Sequence, residues 1–217
     1  DLANPLWRLR NLYHIKRADD GRIIQFQPRP EQQQVYDMLF KEGVKRLIIL
    51  KARRLGMSTA LDVLLTDQML WNAGTQCSLV DQTAADAERK LATIAKVAVD
   101  NLPEGTAKHI ERLRDSGSIL EVSVAGHAAS SFFAGLRARG GTNNWLHLSE
   151  WGVIQADDPR RSEEILTGAI PSAEHGRIIV ETTWKGGRGG HLWDIVKTAL
   201  ETPEEAKTDK DWRVVFF

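Results

Sequence analysis

The sequence has 217 residues, 42% hydrophobic and 27% charged, with 29 lysines and arginines against 29 aspartates and glutamates. That length supports one good-sized domain with a real core or two small ones. Zero formal charge excludes a chain that grips nucleic acid through overall basicity, so any such contact must come from local patches. Cys77 stands alone, which excludes a disulfide framework and a cysteine zinc site and agrees with a reducing cytosol. No apolar run reaches the length of a membrane span. The opening "DLANPLWRLRN" is not a signal peptide, and the closing "DWRVVFF" is an apolar β-like run without a turn after it, as in a chain cut from something longer.

In chain order, residues 4–13 predict a short helix capped by Asn4, and "HIKRADDGRIIQFQ" a hairpin turning at Asp20-Gly21. Pro30 opens a helix that Gly43 ends. "KRLIIL" has the continuous apolar character of a buried parallel strand. "STALDVLLTDQMLW" is a helix with Leu61, Leu64 and Leu65 on one face. "TQCSLV" is a strand, and residues 83–102 form a long helix with Thr83 as N-cap and Pro103 beyond its end. "RLRDSGSILEVSVAG" is a hairpin around Ser116-Gly117. "SSFFAG" and "NNWLHLS" are strands, "DPRRSEEILTGAI" a helix, "GRIIVETT" a strand and "GGHLWDIVKTAL" a helix. Strands alternating with helices predict an α/β fold with a mostly parallel sheet flanked by helices. On such sheets ligands sit at the carboxyl ends of the strands, here just after residues 50, 82, 148 and 182.

The segment after residue 50, "KARRLGMS", stands where a phosphate-binding loop would lie between strand and helix. Against the pattern G-x-x-x-x-G-K-[ST] it puts Lys51 at the first glycine, Gly56 at the second, Met57 at the lysine and Ser58 at the hydroxyl. Gly56 admits close backbone approach, and the amides opening the helix offer unpaired donors and a positive dipole end. Ser58 is a ligand candidate for Mg2+. Met57 brings no charge, but a loop that curls around phosphates lets a side chain at its front reach them from the other side, and Lys51 occupies that position. Arg53 and Arg54 add positive charge. The competing interpretation is a plain strand–loop–helix junction with solvated arginines.

A hydrolytic nucleotide site also needs a polar or acidic group for the metal's water and a carboxylate to orient the attacking water. "LHLSE" supplies Glu150 as that base, with Ser149 where aspartate usually stands.

Taken together and in this order, "KARRLGMST", "LHLSE" and "VETTWKGG" resemble the ATPase domain of the large terminase subunit of tailed bacteriophages, the viral DNA-packaging motor. The resemblance runs from "FQPRPEQQQ" to the end of the chain. It implies a RecA-like P-loop NTPase fold over residues 30–217, with residues 1–29 as an N-terminal helix and hairpin extension. It implies ATP and Mg2+ as ligands, with Lys51, Ala52, Arg54, Leu55, Gly56, Met57, Ser58 and Thr59 around the nucleotide and Gln32, or its neighbour Gln33, at the adenine. Arg53 corresponds to an arginine that acts on the γ-phosphate. Arg139, in "RGGT", corresponds to one that reaches a neighbouring subunit's site, with Arg137 as the alternative. "ETT", Glu181–Thr183, corresponds to a coupling motif whose hydroxyls, on Thr182 and Thr183, report hydrolysis, and Ser149 holds metal through water. The implied partners are double-stranded DNA bound without sequence preference, further copies in a ring, the portal and the small terminase subunit, all in the host cytoplasm during virus assembly. Met57 and Ser149 each remove a charge from the usual site. No cluster of aspartates follows residue 183, so no nuclease activity is expected of this chain. Contacts to DNA phosphates have Arg8, Arg10, Lys16, Arg17, Lys185 and Arg188 as candidates. A helicase-like motor and a degenerate nucleotide-binding module without turnover remain alternatives.

Overall fold

A computed structural model describes every residue except Arg139, Gly140 and Gly186. Helix α1 (Pro5–Asn11) starts as expected at Asn4, whose side chain accepts the Leu6 N–H at 2.9 Å, an N-cap that contributes about 1 kcal/mol. Strands β1 (His14–Lys16) and β2 (Ile23–Gln25) form the hairpin, and α2 (Pro30–Phe40) follows with proline in its first turn. Strand β3 (Arg46–Leu50) leads through the loop of residues 51–56 into α3 (Met57–Trp71), then β4 (Gln76–Val80). The long helix over 84–100 is continuous but contains a π turn at Leu91–Ala95 between α4 (Ala84–Lys90) and α5 (Lys96–Asp100). After α6 (Glu104–Ala107), a single turn that the sequence pattern did not reveal, come β5 (Ile110–Asp115), β6 (Ile119–Val124), β7 (Ser130–Gly135) and β8 (Trp145–Ser149). Helix α7 (Trp151–Asp157) was likewise not foreseen. Helices α8 (Pro159–Glu164) and α9 (Ile170–Ser172) flank a second π turn at Ile165–Ala169, and β9 (Arg177–Thr182), α10 (His191–Glu201) and β10 (Arg213–Phe216) complete the order.

Among the described residues, eight strands form one sheet in the order β10-β3-β9-β8-β4-β7-β6-β5. The six from β10 to β7 are parallel, and β6 and β5 add an antiparallel edge. Both faces of the parallel part are covered, and this explains the unbroken apolar runs. Along β3, Leu47 and Ile49 face one core with Leu61, Leu64 and Phe132, whereas Ile48 and Leu50 face another with Leu146, Trp151 and Val180.

Helix α3 is buried on more than the predicted leucine face, since every residue from Ala60 to Leu70 is buried. The cause is the N-terminal segment, whose Leu9, Leu12, Tyr13 and Phe26 lie in the same core. A helix enclosed on all sides must pair its polar residues internally. Arg8 does this for Asp67, with Nε and Nη2 both 2.8 Å from its carboxylate, while its guanidinium stacks over Trp71. Arg8 is 4% exposed, which removes it from the surface residues available to DNA; its charge is spent on Asp67. No helix among the described residues is long and apolar enough to cross a membrane.

Candidate functional site

The carboxyl ends of β3, β9, β8 and β4 converge on one cleft of about 420 Å³. The loop that forms its rim is shaped by two left-handed residues, Gly56 (φ +67°, ψ +20°) and Arg54 (φ +67°). Glycine adopts this conformation without penalty and serves as the N-cap of α3. Gln32 on α2 braces the loop from below, its Nε2 donating to the Leu55 and Gly56 carbonyls, both at 3.0 Å, while its Oε1 accepts the Arg29 N–H at 3.0 Å. A Cβ at Gly56 would come within 3.0 Å of that Nε2. Gln32 is 3% exposed, and both donor contacts of its carboxamide are to the loop; reaching an adenine would require releasing them. The first-turn residues of α3, whose amides have no partner within the helix, line the cleft at Met57, Ser58 and Thr59.

The two residues at the heart of the altered loop have opposite fates. Met57 is 1% exposed and packs into the core with Leu61. Lys51 turns inward from the front of the loop, its side chain only 7% exposed, and its Nζ lies 3.1 Å from Glu150 Oε1 and 2.9 Å from Glu181 Oε2. Burial pulls the Lys51 pKa down, but Glu181 and Glu150 outweigh it and the net shift is upward, so the amine is charged. The backbone holds this placement, because the Lys51 N–H donates to the Thr182 carbonyl at 3.1 Å and the Ala52 N–H to the Phe217 carbonyl at 2.9 Å.

Glu150 follows β8 in the left-handed region (φ +57°) and serves as N-cap of α7. Its Oε2 accepts the Thr183 N–H at 3.0 Å and the Thr183 hydroxyl at 3.1 Å, while the Thr182 hydroxyl, 3.4 Å away, donates to the Thr183 carbonyl at 2.9 Å. The Gly152 N–H in turn donates to Thr182 Oγ1 at 3.0 Å, an approach that leaves a Cβ at position 152 only 2.9 Å from that oxygen. The expected base and coupling motif are therefore one hydrogen-bonded unit.

Beneath the cleft lies a buried network in which sequence reasoning had Ser58, Ser149 and Glu181, the last only as part of the coupling motif, and missed His147, Asp62 and Lys90. Glu181, directly opposite Ser149 in the β8–β9 register, is fully buried. Its Oε1 accepts the Ser58 hydroxyl at 2.5 Å and the Ser149 hydroxyl at 2.9 Å, and lies 3.6 Å from His147 Nε2. His147 Nδ1 is 2.9 Å from Asp62 Oδ1, one helical turn beyond Ser58 on α3. Lys90 on α4 reaches in from the other side, donating to Ser149 Oγ at 2.6 Å and pairing with Asp81 at 2.6 Å. Burial favours a neutral Glu181, yet His147, Lys51 and Lys90 hold its pKa at about 2. Burial likewise opposes charge on His147, and Asp62 and Glu181 raise its pKa to about 9. The available signal was polar residues recurring every second position, 147 and 149, in a strand otherwise apolar on both faces, with Glu181 set into the apolar strand beside it.

Arg53 and Arg54 are exposed on the rim of the cleft. Arg139 lies outside the described residues. Arg137 is exposed and pairs with Glu164 of its own chain at 3.0 Å. Of the other basic candidates, Arg17 pairs with Asp19 and Asp20, Lys185 with Asp157, and Arg10 donates to Gln33 Oε1. Lys16 and Arg188 are exposed, the latter 5.9 Å from the Trp193 ring.

No protein-family model matches the sequence, and no curated protein matches it. Solved structures do. A variant of the large terminase ATPase domain of Thermus phage P74-26 is similar with a TM-score of 0.61 at 17% identity, covering 88% of this chain and 82% of that one. The large terminase of bacteriophage HK97 is similar with a TM-score of 0.66 at 13% identity over 99% of this chain, and that of a thermophilic bacteriophage with 0.57 at 12% over 87%. The chain spans 43% and 44% of those two proteins. The similar structures of the thermophilic bacteriophage's terminase include complexes with ADP and with ATP-gamma-S. The fold is thus that of large terminase ATPase domains, a mainly parallel RecA-like sheet flanked by helices.

Proposed function

We propose that this chain is the ATP-hydrolysing motor domain of a large terminase, coupling turnover to the movement of double-stranded DNA into a procapsid in the host cytoplasm. The observation that carries the reading is the inward Lys51 amine, facing Glu150 across the cleft behind a glycine-turned loop. It supports a site in which the cation missing at position 57 is supplied from position 51.

The triphosphate lies against the first-turn amides of α3, where dipole and unpaired donors favour anions. Its oxygens compete with Glu150 Oε1 for the Lys51 amine, so occupancy frees that carboxylate oxygen to orient water. Arg53 adds positive charge toward the γ-phosphate, where the transition state spreads its negative charge. Ser58 and Ser149, whose hydroxyls both donate to Glu181, are hard-oxygen donors that fit Mg2+: Ser58 would hold it directly and Ser149 through water. The ion, when bound, would supply neutralisation of the phosphate charge. Because Thr183 holds the other Glu150 oxygen, with Thr182 bonded to the Thr183 carbonyl, a change at the base would be transmitted to the end of β9 and the glycine-rich segment beyond it.

The partners in this reading are DNA phosphates, further copies of the chain in a ring, the portal and the small terminase subunit. Arg139, or Arg137 after release from Glu164, is the residue that enters a neighbour's cleft. The test is ATP turnover by wild type, Lys51→Ala and Glu150→Gln, alone and at concentrations that favour assembly. Wild-type turnover with both variants inactive is expected, and Glu150→Gln should still bind nucleotide. Absent wild-type turnover in an assembled ring, or full activity in Glu150→Gln, overturns the reading.

A further inference from the structure

A strand-end serine where a nucleotide site needs an acid leaves a deficit of one negative charge, and the molecule holds a fully buried carboxylate beside it that the proposed mechanism uses only as a hydrogen-bond acceptor. We propose that Glu181 is the relocated acidic group of the site, a positioning carboxylate that orients the Ser58 and Ser149 hydroxyls toward the divalent cation and supplies the charge Ser149 lacks. The inference rests on the nucleotide-site reading and deepens it.

Three observations support it. Glu181 and Ser149 are paired across the β8–β9 ladder, so moving the acid from one strand to its neighbour keeps it at the same level of the sheet. One oxygen, Oε1, accepts from both hydroxyls, at 2.5 and 2.9 Å. Since each hydroxyl proton is given to the carboxylate, the lone pairs of Ser58 Oγ are left for a cation, and Ser149 Oγ, which also accepts from Lys90 at 2.6 Å, keeps one lone pair for a metal-bound water. Finally, the carboxylate is fixed from behind: His147 stands 3.6 Å from Oε1 and is itself held by Asp62 at 2.9 Å, while Lys51 grips Oε2 at 2.9 Å. Ser58 and Asp62, four residues apart on α3, bracket this chain, tying it to the helix that carries the phosphate-loop amides. A structural ion pair needs none of this convergence on two hydroxyls. The two departures in the sequence then have one explanation: the cation lost at 57 stands at 51, the anion lost at 149 stands at 181, and the two moved charges contact each other.

Outer-sphere partners of metal ligands typically change metal affinity by about 10–100-fold when removed. The experiment is equilibrium binding of a fluorescent ATP analogue to the purified chain, with Mg2+ and with EDTA, for wild type, Glu181→Gln, Glu181→Asp and Glu181→Gln/Ser149→Asp. In wild type Mg2+ tightens binding. Glu181→Gln should lose roughly tenfold or more of that enhancement while binding in EDTA as well as wild type or better, because a negative charge near the triphosphate is gone. Ser149→Asp in the same protein should restore the enhancement, which a merely structural role for Glu181 does not predict. If Glu181→Gln does not fold, Glu181→Asp keeps the charge but shortens its reach and should show a several-fold smaller enhancement. An unchanged Mg2+ enhancement in folded Glu181→Gln, or in Glu181→Asp if that alone folds, overturns the inference and leaves the nucleotide site standing. Absence of nucleotide binding by wild type overturns both.

Discussion

Replacing Lys51 with methionine removes the cation but keeps an unbranched side chain of similar length. Its amine sits 2.9 Å from a fully buried carboxylate and 3.1 Å from a largely buried one. Deleting one partner of a buried pair costs about 3–5 kcal/mol, because the other charge is left uncompensated. His147 and Lys90 still face Glu181 in the variant, and Glu150 keeps its threonine contacts, so the lower end, about 3 kcal/mol, is expected. At roughly 2–4 °C per kcal/mol for a chain of this size, the melting temperature should fall by about 6–12 °C. Denaturant unfolding at neutral pH reads the free energy directly, and a double-mutant cycle with Glu181→Gln isolates the pair. If Lys51 works through Glu181, the two changes are non-additive, the double variant recovering on the order of 1–2 kcal/mol of the summed loss. A cost under about 0.5 kcal/mol for Lys51→Met, or additive effects, would refute the claim that this lysine is bound into the carboxylate cluster.

His147 gives a pH signature. Its pKa is raised from 6.5 to about 9 in the folded protein, so its contribution is fully present below pH 6.5 and is lost as pH rises through about 9; on the order of 3 kcal/mol of stability should disappear over that window in wild type and not in His147→Gln. Glu181 has the opposite sign, with its pKa lowered from 4.5 to about 2, so its contribution holds above pH 4.5 and declines as pH falls toward 2, a decline that Glu181→Gln should abolish in acid unfolding curves. Arg8→Met should cost about 3–5 kcal/mol in denaturant unfolding and leave DNA affinity unchanged, and much of the loss should return in Arg8→Met/Asp67→Leu. Gln32→Ala should lose about 1–2 kcal/mol and weaken binding of an ATP analogue a few-fold in titration, since it releases the loop carbonyls.

The parts of this architecture legible in sequence were those governed by local rules. The strand–helix alternation, Asn4 and Thr83 as caps, the turns at Asp20-Gly21 and Ser116-Gly117, and the position of the cleft at the strand ends all follow from turn chemistry and hydrophobic period. Helix α7 escaped notice because it begins at a left-handed glutamate, with Gly152 in its first turn. It is held in place by tertiary contacts: buried Trp151 donating to Ser162 at 2.9 Å, and Gly152 to Thr182. Lys51 was legible because the altered loop advertised a missing charge beside a spare one. The contacts of Glu181, which the sequence offered only as part of the coupling motif, and the involvement of His147, Asp62 and Lys90 were not, because a polar residue in a strand or helix acquires its meaning from what the sheet order brings next to it. Ser149 and Glu181 are 32 residues apart in sequence and adjacent only because β9 lies beside β8. Arg8 illustrates the reverse error. A basic residue near a terminus reads as solvated, and only the burial of Asp67 on the enclosed helix α3 reveals where its charge is used.

The most direct measurement is a crystal structure of the chain with a non-hydrolysable ATP analogue and Mg2+. The account predicts the Lys51 amine within hydrogen-bond distance of the β- or γ-phosphate oxygens and Glu150 Oε1 released to a water. A triphosphate held in the cleft with Lys51 still clasping both carboxylates, or turned out to solvent, would contradict it.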